Sequence, residues 1–271
     1  MTPLRIGACM ALAEVATHRD WLFDDDRDLE LQDFIFSDAL IQNRESFVAT
    51  ANATLDGFKG RLGVHGPFIG LDMDNADVDV QRAITGKFIG ALELAAEIGA
   101  RQMVLHSPYD LWYKQNRLCY PGYEAAKLKH IHAIMDPVVK RAGELGCTLV
   151  IENIKDVDPE TRRAMVDSFD SDAIALSIDT GHAHLARNMS GAPPVDYFVR
   201  DAGNQLRHVH IQDLDGYADR HWAPGEGEIE WEAVFRALGD CESEPHLVLE
   251  LRDKGDIQKG FAYLRDLGLA C

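Results

Sequence analysis

The stretch His208-Val209-His210-Ile211-Gln212-Asp213 is followed shortly by Asp219-Arg220-His221-Trp222-Ala223-Pro224-Gly225-Glu226-Gly227. The first stretch has the character of a strand that ends in a polar cluster. The second is rich in turn residues and brings another Asp/His pair back beside that cluster. Imidazoles and carboxylates packed this densely are costly to bury unless a positive charge lies among them. The pattern therefore favours a divalent metal ion whose other ligands come from elsewhere in the chain.

The composition limits the classes of function. The chain has 271 residues, of which 46% are hydrophobic, so it can bury a sizeable core. Its 27 Lys and Arg against 45 Asp and Glu give a net charge of −18. Such a chain is poorly suited to a DNA backbone, which basic residues bind by releasing counterions. We therefore expect no nucleic-acid partner, although a metal-lined mouth can be locally positive.

The cysteines and the amino terminus bear on the compartment. Five cysteines, at positions 9, 119, 147, 241 and 271, are scattered and contain no CxxC pair, which predicts reduced thiols and a cytoplasmic location. The amino-terminal apolar run is interrupted by Gly7 and followed closely by Glu14, which favours a first strand over a signal peptide. No other segment is long and apolar enough to span a membrane, so no membrane association is expected.

Short apolar runs alternate with longer amphipathic segments along the whole chain. Eight runs are predicted as strands, at 4–10, 29–36, 61–68, 102–107, 148–154, 174–180, 206–212 and 246–251. Helical periodicity is predicted between them, at 45–60, 78–99, 125–146, 159–168, 194–203, 230–239 and 257–267. No linker divides the chain, so residues 1–271 are predicted to form one domain, a single (β/α)8 TIM barrel of the α/β class. No Gly-x-Gly-x-x-Gly follows the first strand, so we expect no organic cofactor.

Polar residues fall at equivalent points of six consecutive strands. In a parallel barrel, alternate residues point inward, and active sites collect at the carboxyl ends of the strands. By this parity, the tops of these strands carry His65, His106, Glu152, Asp179, His210 and Glu250. Three carboxylates that share a dry cavity repel one another, and a metal ion resolves that repulsion. The set predicts a metal site.

Other polar residues lie close to this ring in the sequence. His182 follows Asp179 on the next turn, and Asp219 and His221 come from the loop after the seventh strand. They are either ligands or ordinary polar loop residues. His208 shares the face of His210 one layer deeper and is interpreted as a core or supporting imidazole.

Four motifs carry a family resemblance: Ile151-Glu152-Asn153, the segment 177–182, the segment 208–213 and the segment 219–229. They resemble the xylose isomerase-like barrel superfamily, which contains sugar and sugar-phosphate isomerases and epimerases together with AP endonucleases of the endonuclease IV type. The resemblance covers nearly the whole chain. In the isomerase branch one divalent ion is held by four residues. The resemblance implies that these are Glu152, Asp179, His210 and Glu250, with Mn, Mg, Co or Zn as the metal.

The endonuclease branch adds ligands for a three-zinc cluster. The matching positions are His65, His106, His182, Asp219 and His221. Isomerases of the superfamily commonly keep several of these residues to hold substrate hydroxyls, so the resemblance implies additional metal or substrate ligands here. DNA-reading loops should be basic, yet the loop at 37–43 is short and offers only Arg44 nearby. This composition favours a small carbohydrate over duplex DNA.

We therefore expect a metal-dependent isomerase or epimerase of a small sugar, sugar phosphate or polyol-derived carbonyl compound. Glu152 and Glu250 would move the proton at the α-carbon through a metal-stabilised enediolate. Further substrate contacts are predicted at Tyr109, Trp112, Trp222 and Lys155. The segment 107–122, which contains the first two, is either a lid over the barrel mouth or an ordinary surface insertion.

Two alternatives stay open at this point. A multinuclear zinc phosphoesterase, similar to the AP endonucleases, would use a bridging hydroxide as nucleophile and would need His65 and His106 as ligands. A barrel that binds a small ligand without turnover is the third reading. The number of bound metals separates the isomerase or epimerase from the phosphoesterase. The resemblance also implies a homodimer, without assigning an interface.

Overall fold

A computed structural model of the chain describes residues 2–271. Eight parallel strands close into a barrel in sequence order. They are β1 (Gly7–Met10), β2 (Leu29–Leu31), β3 (Leu62–His65), β4 (Gln102–His106), β5 (Thr148–Glu152), β6 (Ile174–Asp179), β7 (Leu206–Ile211) and β8 (His246–Leu249). The predicted single (β/α)8 TIM barrel is confirmed. Each strand lies within one of the eight predicted runs, and each is shorter than the predicted run.

Helices surround the barrel. They are α1 (Arg19–Asp24), α2 (Ser37–Gln42), α3 (Arg44–Thr54), α4 (Val78–Glu97), α5 (Leu111–Asn116), α6 (Tyr123–Leu145), α7 (Pro159–Asp167), α8 (Thr180–Ser190), α9 (Val195–Ala202), α10 (Trp231–Gly239) and α11 (Ile257–Asp266). The seven predicted helices are present. The sequence patterns did not predict α1, α2, α5 or α8.

Helix α8 begins immediately after β6 because a strand-end carboxylate caps it. The Asp179 side chain accepts a hydrogen bond from the backbone N–H of His182 at 2.6 Å. Such a cap satisfies one of the free N–H groups at a helix amino terminus. As a result, His182 lies in the first helical turn, directly above the carboxyl end of β6, rather than on an open turn.

The main core lies between the strands and the helices. It includes large buried side chains such as Phe34, Phe88, Phe198 and Phe235. Burying one such side chain contributes about 1.5–3 kcal/mol. Leu149 and Ile151 of β5 belong to this layer, as the strand parity predicts.

The barrel interior has a separate apolar floor. Val104, Val150 and Ala175 form a cluster of their own, and the strand register pairs Val104 with Val150 and Val150 with Ala175. Two residues further along β4 and β5 stand His106 and Glu152. His106 and Glu152 at the top of the barrel therefore rest on an apolar layer.

All five cysteines are unpaired, and Cys9 and Cys147 are buried. No disulfide is present among residues 2–271. Within the same range, no helix has both the length and the apolar character that a membrane crossing requires.

Candidate active site at the carboxyl ends of the strands

Four buried side chains meet at the carboxyl end of the barrel. They are Glu152 at the end of β5, Asp179 at the end of β6, His210 in β7 and Glu250 directly after β8. One ligand atom from each lies within 4.8 Å of the others. The Nδ1 atom of His210 lies 3.4 Å from Glu152 Oε1 and 3.4 Å from Glu250 Oε2. The structure thus brings together the four residues that the isomerase resemblance implied.

The carboxyl and imidazole groups of this centre shift one another's pKa values. Burial raises the pKa of Asp179 to about 6, and the nearby glutamates add to the shift while His182 opposes it. Burial alone would lower the pKa of His210. The carboxylates around that imidazole outweigh burial and raise its pKa well above the usual value. Three carboxylates in a buried site therefore demand a compensating positive charge, which a proton or a metal ion can supply.

Two buried atoms without hydrogen-bond partners bear on whether these residues fit a metal ion. Glu152 Oε2 and His210 Nδ1 are buried and have no hydrogen-bond partner among residues 2–271. An unsatisfied buried polar group costs about 1–3 kcal/mol. Carboxylate oxygens and one imidazole nitrogen form a donor set that suits a divalent ion of the predicted kinds. The residues fit such an ion.

A second group converges on the same glutamate. The Nε2 atoms of His65 and His106 lie 3.4 Å apart, and they lie 3.7 and 3.9 Å from Glu152 Oε2. The other ring nitrogen of His65 donates to the Gly66 carbonyl at 2.9 Å, so Nε2 is the nitrogen that faces Glu152. The nearby glutamates outweigh burial and raise the pKa of His65. Burial lowers the pKa of His106 to about 3, which keeps that imidazole neutral. These three side chains could hold a second ion.

A third group lies at the rim. Asp219 Oδ1 is 3.5 Å from His182 Nε2, and Asp219 Oδ2 is 3.2 Å from His221 Nε2. His221 has a φ of +51°, a left-handed conformation that costs roughly 1–3 kcal/mol outside glycine. Its Nδ1 atom is fixed 3.0 Å from the Glu250 carbonyl. With this group, which could also hold an ion, all nine predicted His, Asp and Glu residues come together.

Sequence reasoning missed Glu30, which supports His210 from below. Glu30 Oε1 accepts from His210 Nε2 at 2.9 Å, and Glu30 Oε2 lies 3.0 Å from His208 Nε2. The other ring nitrogen of His208 lies 2.8 Å from Ser177 Oγ. Because Nε2 of His210 donates to Glu30, its Nδ1 atom is left as a ligand. The alternation Leu29-Glu30-Leu31, with the charge between two core residues, was the available signal.

Gln212 was also missed, and it joins two of the groups. Its Nε2 atom lies 3.2 Å from both Asp179 carboxylate oxygens and 3.2 Å from Asp219 Oδ1. Its Oε1 atom accepts from the His221 N–H at 3.0 Å. A Cβ atom at Gly181 would collide with this amide, so a side chain at position 181 would displace Gln212 from these contacts. Its position two residues beyond His210, on the same face of the strand, was the signal.

Asp213 has a structural role rather than a place in the ligand groups. Its carboxylate accepts hydrogen bonds from the backbone N–H groups of Leu214, Gly225 and Ile229 and from the Trp231 indole, at 2.9–3.2 Å. Its backbone also pairs with that of Trp222 in an isolated antiparallel bridge. These bonds fold the loop after β7 back over the barrel, which places Asp219 and His221 at the rim.

A cavity of about 520 Å³ opens above these groups. Asp179 and His210 lie beneath it, whereas the other seven predicted His, Asp and Glu residues line it. Its apolar lining consists of Ile35, Phe68, Ile154 and Leu251. Phe68 stacks on His106 with ring centroids 4.0 Å apart and an interplanar angle of 22°. The cavity is large enough for a small sugar, and Phe68 supplies an aromatic wall.

None of the four predicted aromatic and lysine contacts lines this cavity. Tyr109 instead lines a separate outer groove of about 910 Å³, together with Tyr113 of α5. Trp112 is 61% exposed, and Lys155 is also exposed. The ring of Trp222 lies 5.4 Å from the Arg220 guanidinium carbon. Of the two alternatives for the segment 107–122, the surface insertion agrees with these positions, because Tyr109 and Tyr113 line the separate groove and no residue of the segment lines this cavity.

Known proteins are similar to this chain in part of their sequence or in their fold. Fructoselysine 3-epimerase of Escherichia coli O157:H7 is 38% identical over 60 residues, which cover 22% of each chain. The crystal structure of a D-tagatose 3-epimerase-like protein superposes with a TM-score of 0.73 at 21% identity, covering 97% of this chain and 96% of that one.

A second solved structure is the TTHB071 protein from Thermus thermophilus, soaked with ZnCl2. It superposes with a TM-score of 0.73 at 25% identity, covering 97% of this chain and 98% of that one. A sequence profile of the family described as xylose isomerase-like TIM barrel matches residues 23–267. The chain therefore belongs to the xylose isomerase-like TIM barrel family.

Proposed function

We propose that the protein is a divalent-metal-dependent epimerase or isomerase of a small sugar or sugar derivative. The observation that carries this proposal is the buried group of Glu152, Asp179, His210 and Glu250 beneath a cavity of about 520 Å³. The local likeness to fructoselysine 3-epimerase supports the same class of chemistry.

Epimerisation requires that a proton leave the carbon beside a carbonyl and that a proton return to the opposite face. Glu152 and Glu250 come from different strands, and each approaches His210 Nδ1 to 3.4 Å. The glutamate that acts as the base does so as a carboxylate. The one that acts as the acid must gain a proton before it reacts, because nearby imidazoles, chiefly His210, outweigh burial and lower the pKa of both carboxyls. The carboxylate takes the proton and leaves the enediolate of the substrate, and the acid then protonates the other face.

Glu152, Asp179, His210 and Glu250 would hold a divalent cation, and when bound it would supply Lewis acidity for the negative charge that develops on the substrate oxygens. His182 and His221 line the cavity at the rim and are placed to hold hydroxyl groups. Phe68 covers an apolar face of the sugar. These contacts orient the reacting carbon between the two glutamates.

Deuterium exchange tests the proposal. The Mn²⁺-loaded protein is incubated in D₂O with D-fructose, D-tagatose and their 6-phosphates, and the expected product is an epimer with one deuterium at the inverted carbon. Glu152→Gln and Glu250→Gln should each slow exchange by about 10²–10⁴-fold, the usual contribution of a general acid or base. Glu232→Gln, an exposed glutamate of α10, is the matched control. Rates in the two site variants equal to that of the control would overturn the assigned roles.

Hydrolysis of a phosphoester by two or three metals is the second candidate, and a specific observation favours it. The Nε2 atoms of His65 and His106 lie within 3.9 Å of Glu152 Oε2, which is the convergence that a multinuclear cluster requires. The net charge of −18 makes a small phosphoester a better substrate than duplex DNA. Zinc-dependent hydrolysis of bis(p-nitrophenyl) phosphate that His106→Ala abolishes would support this candidate.

A further inference from the structure

Two cationic side chains stand at one side of the cavity. Arg252 and Lys254 both line it, and they are the only Lys or Arg among its lining residues in the part of the chain that the structure describes. Both belong to the segment that directly follows Glu250, in which Lys254 begins a short 3-10 helix. A pair of cations at the mouth is notable in a chain whose net charge is −18.

The loop is tied down on both sides. The Arg252 backbone N–H donates to the His221 carbonyl at 3.0 Å, and its guanidinium donates to the Asp219 carbonyl at 3.1 Å. Lys254 Nζ donates to Gln32 Oε1 at 2.9 Å and to the Leu251 carbonyl at 2.8 Å. These contacts fix both cations at the rim.

The acceptors of both side chains are uncharged oxygens. Across residues 2–271, neither cation forms a salt bridge with a carboxylate. The Arg252 side chain donates to one backbone carbonyl, and the Lys254 side chain donates to one backbone carbonyl and one amide oxygen. A guanidinium has five N–H donors and an ammonium three, so each side chain keeps donors for a ligand. A divalent ion on the buried group would offset two of the three negative charges of its carboxylates. Because neither Arg252 nor Lys254 forms a salt bridge among the described residues, both cations keep their positive charge available to a ligand in the cavity.

We propose that Arg252 and Lys254 bind the phosphate group of a phosphorylated sugar whose carbonyl end lies over the buried ligand group. The inference rests on the proposed function and narrows its substrate class. Two positive charges match a phosphate monoester, which carries about −1.5 to −2 at pH 7, better than a singly charged carboxylate. The planar guanidinium also suits bidentate contact with phosphate oxygens.

A purely structural role makes a different prediction. Gln32 Nε2 donates to Glu250 Oε1 at 3.0 Å, so Lys254 also steadies Glu250 through Gln32. If that were its only role, losing Lys254 would weaken D-fructose and D-fructose 6-phosphate binding by the same factor. The ratio of the two affinities therefore separates phosphate recognition from positioning.

Titration calorimetry on the Mn²⁺-loaded protein measures that ratio with D-fructose and D-fructose 6-phosphate as probes. We expect the phosphate to bind at least about tenfold more tightly, as charge-assisted hydrogen bonds permit. Arg252→Gln and Lys254→Gln should each reduce this preference about tenfold, and added salt should reduce it further. Arg236→Gln on α10 and Lys140→Gln on α6 are exposed matched controls that should leave it unchanged.

Equal affinity for the two probes in the wild-type protein would overturn the proposal. A preference that survives both substitutions would overturn it as well, because the metal group would then hold the phosphate, as the hydrolase candidate requires. Tighter binding of D-fructuronate than of D-fructose 6-phosphate would indicate that the two cations bind a carboxylate. It would contradict the proposal that the substrate is a phosphorylated sugar. A phosphate preference that is lost in Arg252→Gln and in Lys254→Gln supports the phosphate site. If no deuterium exchange occurs in the same protein, only the proposed reaction is contradicted.

Discussion

Replacing Glu30 by Gln should weaken metal binding without touching any predicted ligand. Glu30 is 2% exposed and lies 2.9 Å from His210 Nε2. Burial opposes its ionisation, but His210 and His208 hold its pKa well below the usual range, so it is charged at neutral pH. Glutamine keeps the shape of the side chain and removes that charge. His210 then becomes a weaker base and a poorer ligand.

The expected magnitude follows from this position. Loss of a carboxylate that supports a metal-bound imidazole typically lowers metal affinity about 10–100-fold. That loss corresponds to about 1.4–2.8 kcal/mol of binding free energy. Glu30→Gln should therefore release metal to a competing chelator at a concentration at which the wild-type protein retains it.

The assay is a chelator competition with Zn²⁺ or Mn²⁺, together with the visible spectrum of the Co²⁺-loaded protein. Ser177→Ala is the matched control, since it removes the second partner of His208 and leaves the contact between Glu30 and His210 intact. The control should change affinity far less than Glu30→Gln. A folded Glu30→Gln protein with wild-type affinity and an unchanged Co²⁺ spectrum would refute this role.

Three further predictions concern stability. Asp213→Ala should lower the free energy of unfolding in urea by about 2 kcal/mol, because four donors lose a charged acceptor; an unchanged midpoint would contradict its anchoring role. Burial lowers the pKa of His246 from 6.5 to about 4, so between these values only the unfolded chain binds the proton. The free energy of unfolding should fall by at most about 3 kcal/mol as the pH drops through this window, and it should fall less in His246→Gln. A free energy that falls equally with pH in the wild-type and variant proteins would be inconsistent with the lowered pKa of His246. A metal at 100 times its dissociation constant adds about 2.7 kcal/mol, so EDTA should lower the melting temperature of metal-loaded protein, and an unchanged melting temperature would exclude tight native-state binding.

Strand periodicity explains why much of the fold and the site could be predicted. Alternation fixes which residues face inward, and closure of the barrel brings all carboxyl ends to one rim. Glu152, Asp179 and His210 could therefore be placed together although they lie on three different strands. The residue types alone then indicated a cation.

Loops and supporting contacts carried much weaker signals. The path of the segment 107–122 depends on how α5 packs, which no periodicity encodes, so the sequence could not show that Tyr109 lines an outer groove and that Trp112 is largely exposed. Glu30 is a single charge in a three-residue strand, and its partners come from β7, far away in the sequence. Gln212 has no charge to attract notice. These residues act through contacts that only the assembled barrel defines.

Metal stoichiometry is the most direct test of the buried four-residue centre. The protein is dialysed against a weak chelator and its metal content is measured by mass spectrometry, beside Asp179→Asn and His106→Ala. We predict one tightly held divalent ion per chain, lost in Asp179→Asn and retained in His106→Ala. Two or three equally tight zinc ions per chain, one of which His106→Ala removes, would contradict the single-metal centre and favour the multinuclear hydrolase.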